Sequence, residues 1–277
     1  MAYPRPLIPC RIACVIVTIL IASHVTAGPV AVDKPLIAHW TFDDNSSAGA
    51  SCADASGKGF NASPAGKAGL SRVEGVSGRA MSFSGRHRLR VPKMTDLTKV
   101  KKITLSAWVM PASFQTYNEI FRKEDAHFRI LFSFQENGRT LSLGLNIGGY
   151  IECDARINPK QLLDGMWHFC AATYDGKTMR VYLDGKEIAS LDRPGAINSQ
   201  RSAAPCIGSS NGGECFQGAM DDLRIYAGAL TTKEITPLHS PGFKALKAYY
   251  AKQDKHNDAF SSADKTLART LAKWLKG

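Results

Sequence analysis

Helical periodicity is almost missing from residues 36–226, and that absence excludes a helical bundle and the alternating patterns of α/β folds. After residue 22 no apolar run is long enough to cross a bilayer as a helix. The cysteines never stand as Cys-x-x-Cys, so neither a zinc ribbon nor thioredoxin-like redox chemistry has support. The histidines form no His-x-x-x-His pair, which removes the helical zinc-protease signature. No glycine-rich loop ends in Lys-Ser or Lys-Thr, so a phosphate cradle of the nucleotide-binding kind is lacking. An internal repeat is also lacking, which excludes solenoids and propellers.

What is present begins with a targeting pattern. Arg5 and Arg11 precede or open the apolar run Ile12–Ala22, and Val25-Thr26-Ala27 offers small residues to a signal peptidase. Residues 1–27 therefore read as a secretory signal peptide, cleaved before Gly28, with an uncleaved anchor as the alternative. The expected location is secreted, in the periplasm or outside the cell, with no membrane span after cleavage. The remaining length suits one large β-sandwich with an appendage.

The formal charge is +11, and residues 243–277 hold a net +5 of it, from eight Lys or Arg against three Asp. This tail reads either as a solvated helix face or as a surface for acidic partners; nucleic acid is not an expected partner. Removing the signal leaves Cys52, Cys153, Cys170, Cys206 and Cys215. In an oxidising compartment the preferred bridges are Cys206–Cys215, across a turn-rich hairpin, and Cys153–Cys170, on two successive strands, leaving Cys52 unpaired. Each bridge would stabilise by about 2–4 kcal/mol.

Short alternating segments then follow one another. Residues 36–42, 79–85, 103–110, 128–135, 140–146, 150–157, 167–174, 179–183 and 220–226 read as strands. In 103–110, Ile103, Leu105, Ala107 and Val109 face one way while Thr104, Ser106 and Trp108 face the other. Asp175-Gly176 and Asp184-Gly185 supply hairpin turns, making 167–189 a three-stranded meander. Residues 43–69 read as a polar loop, 231–235 as a short capped helical turn, and Pro237, Pro241 and Gly242 as a linker. The stretches 243–253 and 261–275 read as helices, the latter with Leu267, Leu271, Trp274 and Leu275 on one face. The fold class is all-β, an antiparallel β-sandwich with a short C-terminal helical appendage. Its boundaries are 34–238 for the sandwich and 243–277 for the basic tail.

Six blocks, in order, carry a family resemblance: LIAHWTFDD (36–44), SGRAMSFSG (77–85), ITLSAWVMP (103–111), WHFCAATYDGKTMRVYLDGKEIA (167–189), IGSSNGG (207–213) and FQGAMDDLRIYAGALTTKEI (216–235). The chain resembles a laminin-G-like jelly-roll domain of the concanavalin A-like lectin/glucanase superfamily. That resemblance implies a jelly roll and leaves the ligand open, because the superfamily holds lectins, adhesion domains and hydrolases. Its glucanase branch carries Glu-x-Asp-x-x-Glu on one strand, and this run is absent here.

In such modules the first and last strands are neighbours, so the resemblance implies that Asp43 and Asp44 converge with Asp221 and Asp222. Four carboxylates near loop carbonyls suit calcium, a hard ion taking oxygen ligands, and a structural calcium is the expected cofactor. The open alternative has Asp222 in a salt bridge with Arg224 or another base and Asp221 bonded to backbone. For sugar recognition the candidates are the near-loop aromatics Tyr117, Tyr150, Phe114 and Phe216, while Trp40, Trp108 and Trp167 read as core. Arg122, Lys123, His127 and Arg129 form a basic cluster for an acidic glycan, or else a solvated strand face. The expected function is a secreted, non-catalytic carbohydrate-binding module, lectin-like, for an extracellular glycan or polysaccharide. The alternatives are a protein-interaction or scaffold module using the tail, and a glycan-cleaving enzyme with unfamiliar acid and base residues.

Overall fold

The computed structural model describes residues 32–44, 51–65, 70–92, 94–125, 128–198 and 203–240. The signal segment and the basic tail expected to be helical lie outside the described residues. In chain order the strands are β1 (Leu36–Trp40), β2 (Ser63–Ala65), β3 (Ser71–Glu74), β4 (Arg79–Ser84), β5 (Arg88–Arg90), β6 (Ile103–Ser113), β7 (Tyr117–Asp125) and β8 (Phe128–Gln135). They continue as β9 (Thr140–Asn146), β10 (Tyr150–Arg156), β11 (His168–Tyr174), β12 (Thr178–Leu183), β13 (Lys186–Asp192), β14 (Cys206–Ile207) and β15 (Gln217–Tyr226). A one-turn helix α1 (Pro159–Leu162) precedes β11, and a helix α2 spans 232–240.

Two antiparallel sheets result. The first runs β13-β12-β11-β6-β15-β4-β3 with β1 paired to β15; the second runs β10-β9-β8-β7-β14-β5-β2. Strands distant in sequence lie side by side, as with β15 between β6 and β4, so the sandwich closes by long crossovers. The Asp-Gly turns build the meander β11-β12-β13 as expected. At Asp184 and Gly185 the backbone takes φ of 49° and 77°, the left-handed geometry that matches strand twist.

Alternation on β6 is as the sequence predicts. Leu105, Ala107 and Val109 enter the main core between the sheets, while Trp108 joins a second apolar cluster with Phe169, Tyr182 and Tyr226 on the first sheet's outer side. α2 covers that side. Its His239 ring stacks on Trp108 at 5.4 Å between centroids and 18° between planes, and Ile235 and Leu238 pack in the same cluster. Thr231 and Glu234 form a capping box: the Glu234 carboxylate accepts from Thr231 N at 2.8 Å, and Thr231 Oγ1 accepts from Glu234 N at 3.4 Å.

Several expectations need correction. The capped turn at 231–235 continues to residue 240 through Pro237, so no linker begins there. The polar loop 43–69 contains a bridge between Cys52 and Ala62 and the short strand β2. Residues 117–125, not read as a strand, form β7 in the second sheet. All five described cysteines are buried free thiols, so neither predicted bridge forms. Cys153 belongs to the second sheet and Cys170 to the first, which separates residues that looked like hairpin neighbours. The 208–216 turn closes with Phe216 N on Gly208 O at 2.9 Å, so Cys215 meets Ser209 Oγ at 3.5 Å, not Cys206.

Candidate functional site

On β7 through β10 the alternate residues Phe132, Phe134, Leu141, Leu143, Leu145, Cys153 and Ala155 point into the core. Their neighbours therefore form the outer face, and register sets them in cross-strand rows. One row is Tyr117, Gln135, Thr140 and Arg156; the next is Glu119, Ser133, Ser142 and Asp154. A third is Arg122, Leu131, Gly144 and Glu152, and a fourth opens with Glu124 and Arg129 and closes with Asn146 and Tyr150. The register of β7 shifts between Glu119 and Phe121. This bulge lets Glu119, Arg122 and Glu124 share one face despite their mixed spacing.

Arg122 is the hub of that face. Its guanidinium bonds Glu119 at 2.7 Å, Glu124 at 2.5 Å and Glu214 at 2.5 Å. Burial pushes the Glu119 carboxyl up to about 8 against the pull of Arg122, and one of its oxygens is buried without a hydrogen-bond partner. Arg129 pairs with Glu124 at 2.5 Å and lies 5.0 Å from the centre of the Tyr150 ring. Glu152 accepts from the Tyr150 hydroxyl at 2.6 Å and from Gln135 Nε2 at 2.7 Å, and Asp154 accepts from Ser142 Oγ at 2.6 Å.

Tyr150 lies down on the sheet because Gly144 has no side chain. A Cβ at Gly144 would stand 2.4 Å from the Tyr150 hydroxyl and 3.0 Å from its ring. The ring nonetheless stays 39% exposed, and Tyr117 stays 44% exposed in the first row. A flat aromatic plate bordered by hydroxyl, amide and carboxylate groups matches a sugar, whose C–H faces pack on rings while its hydroxyls hydrogen-bond.

Of the residues predicted for binding, Tyr117, Tyr150, Arg122 and Arg129 are thus brought to one face. Phe216 is not: it is fully buried, edge-on to Phe83 at 6.1 Å. Phe114 packs on Phe134 at 5.1 Å. The basic cluster is not a free positive patch, since Arg122 and Arg129 are paired and Lys123 turns inward and is buried; His127 lies outside the described residues. Sequence reasoning missed Glu119, Gln135, Gly144, Glu152 and Asp154. Alternation with apolar residues on β8, β9 and β10 was the available signal for Gln135, Gly144, Glu152 and Asp154, whereas Glu119 sits at the β7 bulge that breaks it. The letters Gly-x-Ser-x-Gly do occur at 208–212, but no helix follows Ser210, as a nucleophile elbow requires.

The aspartates gather at the other end of the first sheet. Asp43, Asp221 and Asp222 line a cleft of about 200 Å³ with His39, Ser77 and Trp108, while Asp44 is not in its lining. Each is engaged by protein donors. Asp221 accepts from Val76 N at 2.8 Å and Ser77 N at 3.3 Å, and Asp43 accepts from Arg79 N at 2.8 Å. Together they clamp the turn between β3 and β4, where a Cβ on Gly75 or Gly78 would collide with them. Asp222 pairs with His39 at 2.5 Å and Arg224 at 2.8 Å, and Asp44 with Arg72 at 3.3 Å. Burial pushes Asp221 up to about 8, with the Asp222 and Asp43 charges adding to it. Among the described residues no group of three or more His, Cys, Asp or Glu is placed to hold a metal. The protein partners of these aspartates are those of the bonded alternative.

Comparison with known proteins agrees with this architecture. Residues 83–236 match the family model described as the concanavalin A-like lectin/glucanases superfamily. A 92-residue stretch is 32% identical to pappalysin-1 of Mus musculus, covering 30% of this chain and 6% of that protein. Domain 4 of AbnA, a GH43 extracellular arabinanase from Geobacillus stearothermophilus, solved in complex with arabinotriose, is similar with a TM-score of 0.62 and 25% identity. It covers 74% of this chain and 98% of that one. The binding domain of botulinum neurotoxin DC in complex with SialylT has a TM-score of 0.57 and 15% identity over 75% of this chain and 51% of that one, a likeness of fold.

Proposed function

Because the chain belongs to the concanavalin A-like lectin/glucanase superfamily, we propose that it is an exported, non-catalytic carbohydrate-binding module whose glycan lies on the outer face of β7–β10. The observation that carries this reading is the Tyr150 ring, held flat over Gly144 and half-exposed among hydrogen-bonding rows. An arabinotriose-bound domain of similar fold adds support for an oligosaccharide ligand.

Binding follows from the chain's own groups. The Tyr150 ring packs on a pyranose or furanose face. Glu152, held by the buried Gln135, and the exposed Asp154, held by the buried Ser142, keep acceptor oxygens for sugar hydroxyls beside the ring. Hydrolysis is disfavoured by Arg122. Acid–base cleavage needs two carboxyl groups flanking a free space for the reacting carbon, and here the guanidinium bridges Glu119 and Glu124.

The test is retention of the purified chain on a panel of immobilised polysaccharides, with calcium and with chelator. Selective retention, lost in Tyr150→Ala and indifferent to chelation, is the expected result. Retention by no glycan, or release of reducing sugar from any of them, overturns the reading.

A further inference from the structure

Resting on that glycan reading, we infer that the Tyr150 face selects glycans without acidic groups, because its guanidinium groups are already neutralised while carboxylates without cationic partners stand beside the ring.

Three arginines occupy the face, and each is matched. Arg122 holds Glu119, Glu124 and Glu214; Arg129 holds Glu124; Arg156 holds Glu136. Arg193, at the border, is directed to the carbonyl oxygens of Ile147 and Gly148. Glu152 and Asp154, the carboxylates nearest the plate, meet only a phenol, an amide and a hydroxyl. The face and its borders thus hold six carboxyl groups, Glu119, Glu124, Glu136, Glu152, Asp154 and Glu214, against Arg122, Arg129 and Arg156 in the rows and Arg139 and Arg193 at the borders, and Arg139 lies in the β8–β9 turn, at the far end of the rows from Tyr150. A uronate or sulfate laid on Tyr150 would approach like charge and would have to break a pair to find a cation. A neutral sugar faces neither cost, and its hydroxyls donate to the acceptors that are present.

Two further arginines stand in the same sheet. Arg88 and Arg90 lie on β5, five strand positions from β10. At about 4.8 Å per strand they are roughly 24 Å from the plate, beyond the screening length of about 8 Å at physiological salt. They do not serve a ligand on Tyr150.

The experiment uses the full mature chain on neutral polysaccharides (arabinan, galactan, xylan, glucomannan) and acidic ones (polygalacturonate, hyaluronate, heparin). Only retention lost in Tyr150→Ala is counted, so that acidic glycans held by Arg88, Arg90 or the basic residues 243–277 are set aside. Neutral glycans retained at least about tenfold more tightly than acidic ones supports the inference, as does gain of Tyr150-dependent acidic binding in the double variant Glu152→Gln, Asp154→Asn. Acidic glycans held as tightly as neutral ones through Tyr150 overturns it and leaves the glycan reading standing. No Tyr150-dependent retention by either class overturns both.

Discussion

The outer faces of the two sheets obey the same alternation and end in opposite conditions. On the first sheet the outward side chains include Trp108, Phe169 and Tyr182, and α2 lies across them with Ile235, Leu238 and His239. On the second sheet the outward positions of β7–β10 are mostly charged, hydroxylic or amide, and they satisfy one another in rows. An apolar face in water must be covered, so its side chains are committed to folding. A polar face that bonds internally needs no cover, and two aromatic rings, Tyr117 and Tyr150, stay partly exposed on it. Position in the sheet is equivalent; the chemistry of alternate residues decides which face is covered by α2 and which stays open to solvent, where the proposed glycan would lie.

Substitutions should divide along the same line. Trp108→Ala removes the surface on which Phe169 and α2 pack and should cost about 3–5 kcal/mol in urea unfolding, with glycan retention of the folded fraction unchanged. Arg122→Ala strips the counter-ion from three glutamates and should cost about 3 kcal/mol at pH 9. That loss should shrink as pH falls and Glu119 takes up its proton, which a pH series of unfolding curves would show.

His168 gives a third effect, on the first sheet. Burial disfavours its charge, but the hydrogen bonds it donates to Asp164 and Asp184 at 3.2 and 3.0 Å prevail and raise it to about 9. A raised imidazole binds its proton more tightly in the folded state. Its contribution is therefore complete below about 6.5 and disappears as pH rises through about 9. Unfolding free energy should fall by roughly 3 kcal/mol over that interval, and His168→Gln should flatten the fall. Thr231→Ala breaks the capping box and should cost about 1 kcal/mol, seen as faster amide exchange over 232–240.

The sharpest contrast comes with the smallest change in stability. Tyr150→Ala should shift stability by less than about 1 kcal/mol and abolish glycan retention. Gly144→Val should do the same with the ring still present, because a side chain there lifts it from the sheet. If either variant unfolds the protein, or if Trp108→Ala abolishes binding by the folded chain, the two faces do not divide folding from recognition.

The strands of β6, β8 to β13 and β15 were legible because inward apolar and outward polar residues alternate there, and because Asp184-Gly185 fits only a tight turn. β7 was not legible, since its bulge breaks the period of two between Glu119 and Phe121. The same bulge hid the acidic pair that shares Arg122. Tyr117 and Tyr150 were recognisable as candidate ring donors by their place near turns. Phe216 carried the same local signal and proved to be core, because burial depends on what packs from other strands, here Phe83. The aspartate pairs were read as metal ligands; the turn at 75–78 that supplies their backbone donors arrives from elsewhere in the chain.

By itself the sequence determined that this protein is built of many short antiparallel strands, since a side-chain period of two and turn chemistry are local properties. The order of its family motifs also marked the jelly roll. Only the tertiary structure decided that β14 and β15 would interpose between distant strands, that Cys153 and Cys170 would fall in different sheets, and that Gly144 would seat Tyr150. Those relations depend on register and on contacts between residues far apart along the chain, and local pattern carries no record of either.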